Sequence, residues 1–473
     1  MRRRERKVYL TALITLILSF SLTAQIPVHL SNTAEIISLG KSTAILEDKS
    51  AALTFEQIKN VQFDTLFRQS HLETPNFNVT RSAIWCKLKF INHSDVTQWQ
   101  LEQMLGSMGS VELFRPENNK TTYERRGLTY SFSERKPSSV YPAFYLNIPK
   151  DSSCLVYLRL TDCAPFSANL KIGQPEYFVK RNHTFDVVNG FYTGMMVILM
   201  LHNLFIYFSV KERTYIYYVF YILFATLFIS MLTGYVAYLP DVLVGLVARF
   251  QAVCGLLFGL FAVLFTIHFL QLRKNAPKLL KINYTLISLL VVSALLGIVG
   301  LKHESILLIQ VLGLCLSLVS IISGYIVFKR GYKPAKFYLI AWGTYMACMV
   351  CYILTDLTIL PFNMFTHNAL QMGSVFEAIL LSIALADKVS SFKNEKEEAQ
   401  AKALMAAMEN EKLIKEQNIV LEFKVKERTA EIEKQKKVIE ERQKEILDSI
   451  HYAKRIQKSL LPSNRYLEKK LKG

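Results

Sequence analysis

The alternation of apolar and polar positions divides this chain into regions before any other property is needed. Between residues 25 and 184, apolar residues recur at every second position. In Ile84-Trp85-Cys86-Lys87-Leu88-Lys89-Phe90, the side chains of Ile84, Cys86, Leu88 and Phe90 share one face. This is the period-2 mark of a half-buried strand. It recurs in Ala143-Phe144-Tyr145-Leu146-Asn147-Ile148 and in Cys154-Leu155-Val156-Tyr157-Leu158-Arg159-Leu160. Polar, proline-containing stretches (Arg115-Pro116-Glu117-Asn118, Arg135-Lys136-Pro137-Ser138) separate such strands. The pattern predicts an antiparallel β-sandwich over 25–184, long enough for one independent core.

The period then disappears into seven apolar runs, near 186–209, 215–238, 243–270, 282–301, 305–328, 337–360 and 367–387. Each has roughly the 20 residues that cross a hydrocarbon core, so 185–388 is predicted to be a seven-helix membrane domain. From Lys388 onward the texture changes again, with 21 Lys or Arg and 15 Asp or Glu and no Gly before the last residue. Such a segment is predicted to be helical with too little apolar material for a core. Val425, Ile432, Ile439, Ile446, Ala453 and Leu460 repeat every seven residues. The second column a coiled coil needs is poor: Arg428, Gln435, Arg442 and Ser449 occupy it before Ile456. Residues 389–461 therefore read either as a weak, conditional parallel dimer or as a solvated single helix. A short tail follows over 462–473.

Charge fixes the expected orientation. Arg2, Arg3, Arg4, Arg6 and Lys7 precede the apolar run Val8 to Leu22 and the sequence Thr23-Ala24-Gln25. This reads as a signal peptide over 1–24 or as an uncleaved anchor, and either delivers the next residues across the membrane. The loops after spans one, three and five carry ten basic residues, against Lys302 alone after spans two, four and six. That bias places the β domain outside and the C-terminus in the cytoplasm. The formal charge of +18 is thus accounted for by membrane orientation and a solvated helix, and nucleic acid is not an expected partner.

Chemistry is sparse. The sequence has no glycine-rich phosphate loop, no His-Glu-x-x-His and no nucleophile elbow, so no cofactor and no enzyme activity are expected. Cys348 and Cys351 form a Cys-x-x-Cys inside an apolar run, where packing outweighs metal or redox work. Cys154–Cys163 is open as a disulfide or as two free thiols. His451 reads as a helix-face histidine. The informative polar residue is Glu377, about ten residues into span seven, where a carboxylate is costly unless neutral or paired. By depth, Arg249 or Gln251 in span three is its expected partner, and the three residues form the candidate transduction site. The alternative role for Glu377 is helix packing.

Three pieces resemble the bacterial seven-transmembrane receptors with diverse intracellular signalling modules. Asn78 to Asn92, with its Trp-containing strand, is similar to that family's second type of extracellular domain, although Ile84-Trp85 stands where an aromatic–Trp pair is commoner. Asn189-Gly190-Phe191-Tyr192-Thr193-Gly194, His202-Asn203-Leu204-Phe205 and Lys211-Glu212-Arg213-Thr214-Tyr215 resemble the start of its membrane domain. Gly373 to Lys388 resembles its last span, with Glu377 on the family's glutamate. The resemblance implies a jelly-roll outer domain, a saccharide or other small ligand for which Trp85 is the one contact put forward, and a bacterial inner-membrane location.

Asp448 to Ser463 looks like the helix leading into stage II sporulation E-type phosphatases, with His451 where Asn is usual. The catalytic domain itself is not in this sequence. The chain is therefore expected to be a truncated or split member, or to act through a phosphatase or kinase partner. Together these readings describe a non-enzymatic receptor that pairs through Val425, Ile432, Ile439 and Ile446. A scaffold without a ligand is the plainer alternative. A transporter is disfavoured because no span shows the paired interruptions of a midplane substrate site.

Overall fold

The computed structural model describes residues 26–460 apart from 33–34, 118–119, 133–136, 138, 357–358 and 362. The signal segment and the tail 462–473 lie outside the described residues. The chain divides into two compact units, Met1–Lys388 and Val389–Gly473.

The first unit opens with two sheets. One contains β1 (Val28–Leu30), β3 (Ala44–Asp48), β4 (Arg68–Gln69), β5 (Ala83–Asn92), β7 (Ser110–Glu117), β8 (Lys120–Arg126) and β10 (Ser153–Thr161), in the order β4-β3-β5-β10-β7-β8. The other runs β2-β11-β6-β9, from β2 (Ile36–Ser38), β6 (Gln98–Gln103), β9 (Ala143–Asn147) and β11 (Leu170–Gly173). The expected antiparallel arrangement holds for every pair but one: β1 lies parallel to β5.

The alternation seen in sequence is the packing between these sheets. Ile84, Cys86, Leu88 and Phe90 of β5 meet Leu101 of β6 and Phe144 and Leu146 of β9 in one buried cluster. The odd face of β5 is buried as well at its start, at Ala83 and Trp85, and opens toward Lys89. Trp85 is fully enclosed with Tyr157, Phe55 and Phe67, beneath a short helix Phe55–Ile58 that starts in a Thr54–Gln57 capping box. This corrects the expectation that Trp85 contacts a ligand. Two-sided burial makes it core, and truncating such a side chain costs about 3–5 kcal/mol. Cys86, Cys154 and Cys163 are free thiols, which closes the disulfide alternative.

Seven described helices are long and apolar enough to cross a membrane. They are Pro175–Val210, Arg213–Thr233, Gln251–Phe269, Pro277–Ile298, Lys302–Lys329, Ala335–Asp356 and the apolar first part of Ala369–Leu460. Two boundaries differ most from the sequence reading. The first helix begins ten residues before 185, because Pro175 opens it and its first turns (Glu176, Lys180, Arg181) are too polar to register as a span. The third span begins at Gln251, because Phe250 leaves helical geometry (φ −111°, ψ 35°) and ends a separate helix, Asp241–Arg249.

The second unit is helical through its described residues, as the remainder of Ala369–Leu460. Along it Val425, Ile432, Ile439 and Ile446 are all exposed. Ion pairs one turn apart, such as Lys393–Glu397 and Glu411–Lys415, line its surface and add only a few tenths of a kcal/mol each.

Candidate functional site: a polar seam on the seventh span

The seventh span presents Gln371, Ser374, Glu377, Ala378, Ser382 and Lys388 at helical intervals. These residues turn one face toward the first two spans, while Met372, Phe376 and Ile383 face outward. Polar contacts follow that face along its length. Gln371 donates to Asn189 Oδ1 at 2.8 Å, and Ser374 donates to the hydroxyl of Tyr192 at 3.4 Å. Both partners lie on the first span. Tyr221 of the second span donates to Glu377 Oε2 at 2.7 Å, and Tyr218, one turn away, donates to the carbonyl of Ala378. Further along, Asn203 of the first span donates to Ser382 Oγ at 2.9 Å. The last contact joins Lys388 to Glu212 at 2.6 Å and to Thr214 at 2.9 Å, in and beside the link between the first two spans.

From Gln371 to Lys388 the seam rises about 25 Å at ~1.5 Å per residue, most of a hydrocarbon core. Lipid offers these groups no water, so each contact is made between helices or not at all. The other carboxyl oxygen of Glu377 is buried with no hydrogen-bond partner. The carboxyl group is thus tied at one oxygen and unsatisfied at the other, which is costly in a low-dielectric interior. A ring layer backs it: Tyr218 packs on Phe265 and Tyr221 on Phe258, both on the third span.

Glu377 does not meet its expected partners. It lies eight residues into its helix, whereas Gln251 opens the third span and Arg249 ends the helix before it. Arg249 and Gln251 instead line a cavity against the β domain. The break at Phe250 explains the error, since a span counted from 243 puts both residues too deep. Tyr218, Tyr221 and Gln371 were not foreseen. The Tyr218-x-x-Tyr221 spacing, one helical turn inside an apolar run, was the signal available.

At the sheet-bearing end, the first helix and the loops hold the β domain. Arg181 forms an ion pair with Glu102 of β6, which is fully buried and also accepts from Ser139 at 2.8 Å. The Arg181 guanidinium lies over Phe178 at 4.8 Å. Tyr235 donates to Asp186 at 3.0 Å, His303 meets the carbonyl of Thr80 at 2.9 Å, and Arg81 pairs with Glu304. The backbone of Gly106, in the β domain, abuts Gly234 after the second span, where a Cβ on either would clash. Nearby, burial and the positive charges of Arg181 and Lys171 hold the His367 imidazole down at about 4.

Two family models match the chain. One described as 7TM diverse intracellular signalling matches residues 185–388, and one described as 7TMR-DISM extracellular 2 matches residues 40–174. No curated protein matches it.

Proposed function

This multi-pass membrane protein belongs to the seven-transmembrane receptors of diverse intracellular signalling that carry the second type of extracellular domain, and on that premise we propose how it signals. The β domain faces outward and senses a small ligand. The seam on the seventh span changes its pairing with the first two spans, and the cytoplasmic tail answers by altering how two copies pair through Val425, Ile432, Ile439 and Ile446. The tail in turn acts on a phosphatase or kinase partner, and the chain itself performs no catalysis.

The observation that carries this reading is the run of interhelical hydrogen bonds on one face of a helix whose later residues form the tail. A ligand shifts such an equilibrium only by its differential affinity for the two arrangements. Bonds between membrane helices average about 0.6 kcal/mol with a maximum near 1.7, so one or two exchanges lie within reach of ordinary binding. Orientation is tested by treating intact cells bearing Lys59→Cys or Ser391→Cys with a membrane-impermeant maleimide and reading labelling at the introduced cysteine by peptide mass spectrometry. Labelling of the first alone is expected, and labelling of both from outside would contradict the arrangement. The signalling step is tested by disulfide formation between copies carrying Ile439→Cys, which Glu377→Leu should alter.

A further inference from the structure

A cavity of about 520 Å³ lies where the β domain meets the helices, within the size range of small-molecule sites. Its β-domain wall includes Ser82, Asp162 and Cys163, and its helix wall includes Arg249, Lys302 and His303. Its apolar lining includes Leu105, Met231, Leu232, Ala252 and Ile306.

The charges do not cancel. Arg81 is paired with Glu304. Asp162 is occupied by the backbone N–H groups of Gly109, Cys163 and Ala164, at 2.6, 2.6 and 2.9 Å, and burial pushes its carboxyl up. Among the described residues no carboxylate pairs with Arg249 or Lys302. Both are exposed, and both stand on the side where the loops are otherwise almost free of positive charge. Among the described residues, Tyr352 is the only Phe, Tyr or Trp in the lining. A sugar site needs ring faces for its C–H surfaces, and this cavity offers one. Two cations with no described carboxylate partner, in a lining that also holds these apolar side chains, suit an acid head group on an aliphatic body.

We propose that the cavity between the β domain and the helices binds an anionic amphiphile, with Arg249 and Lys302 holding its carboxylate or phosphate head and Met231, Leu232 and Ile306 its apolar body. The proposal deepens the receptor reading by naming the ligand class and the place it acts. Met231 and Leu232 close the second span, which three turns earlier carries Tyr221 and its bond to Glu377. An occupant therefore presses on the helix that holds the seam.

Cys163 is the built-in reporter, since its free thiol lines the cavity. The full chain is placed in phosphatidylcholine nanodiscs, and alkylation of Cys163 by a soluble maleimide is followed by peptide mass spectrometry. Decanoate and decyl phosphate should each slow alkylation, and decanol should not. Arg249→Gln and Lys302→Gln should each raise the protecting concentration about fivefold, the scale of one exposed ion pair, and Lys302→Arg should keep it. Nanodiscs containing phosphatidylglycerol separate the sources: slow alkylation there without additive assigns the site to a bilayer lipid, and unslowed alkylation assigns it to a free amphiphile. Equal protection by decanol, or full protection in the double variant with an unchanged melting temperature, would overturn the proposal. The readout is independent of the tail. Protection without a tail response sinks the receptor reading alone, and a tail response to seam variants without protection sinks this site alone.

Discussion

Tyr221 donates a 2.7 Å hydrogen bond to Glu377 Oε2 between the second and seventh spans, and Glu377 Oε1 beside it has no partner. Replacing Tyr221 with Phe keeps the ring on Phe258 and removes the donor, leaving both carboxyl oxygens unsatisfied. Measured bonds of this kind between membrane helices reach about 1.7 kcal/mol, and an orphaned buried acceptor costs about 1–3 kcal/mol. Tyr221→Phe should therefore destabilise the detergent-solubilised protein by about 1–2 kcal/mol. Glu377→Gln, which keeps the acceptor, should cost less. Equilibrium unfolding in a mixed-detergent titration reads both, and equal stabilities for all three proteins would contradict the geometry.

Gly234 has φ +86° and an added Cβ there would enter the backbone of Gly106. Gly234→Ala should lower the melting temperature by straining the turn and prising the β domain from the second span. Gly190→Ala is the control, because a methyl group there meets nothing. Similar melting temperatures for both variants would remove the Gly106–Gly234 contact from the account.

His367 gives the junction a pH dependence with a defined sign. Its folded pKa of about 4 lies below its ordinary value of 6.5, so the unfolded chain binds more protons between those limits. Stability from this group is complete above pH 6.5 and is lost as pH falls toward 4, by about 3 kcal/mol in all. His367→Leu should flatten the melting temperature between pH 7 and 4.5 relative to the parent. Parallel curves would show that the imidazole is not held neutral by burial and the charges of Arg181 and Lys171.

The sequence showed the elements better than their contacts. Ile84, Cys86, Leu88 and Phe90 announced a core strand because the sheet buries one face at period two. Seven apolar runs announced seven spans because lipid demands length and apolarity. Trp85 misled because the first residues of β5 are buried on both faces, which alternation alone does not reveal. Glu377 was legible as costly, yet its partner depended on how the second span is rotated and on the helix break at Phe250, and neither leaves a periodic trace. The tail's heptad column was legible, and its residues are exposed in the single chain.

The proposed signalling step couples the Tyr221–Glu377 bond to the pairing of the tails. Ile439→Cys supplies the reporter, and no natural cysteine follows Cys351. Disulfide yield between copies is measured in membranes for the parent, Tyr221→Phe, Glu377→Leu and the double variant, since leucine removes the acceptor of the Tyr221 bond. If the bond is the shared element, each single change shifts the yield and the double changes it no further, because the second lesion acts on an interaction already lost. Unchanged yields in all three variants, at normal expression and with the parent's crosslinking readily measurable, would contradict this coupling and leave the seam as a structural contact.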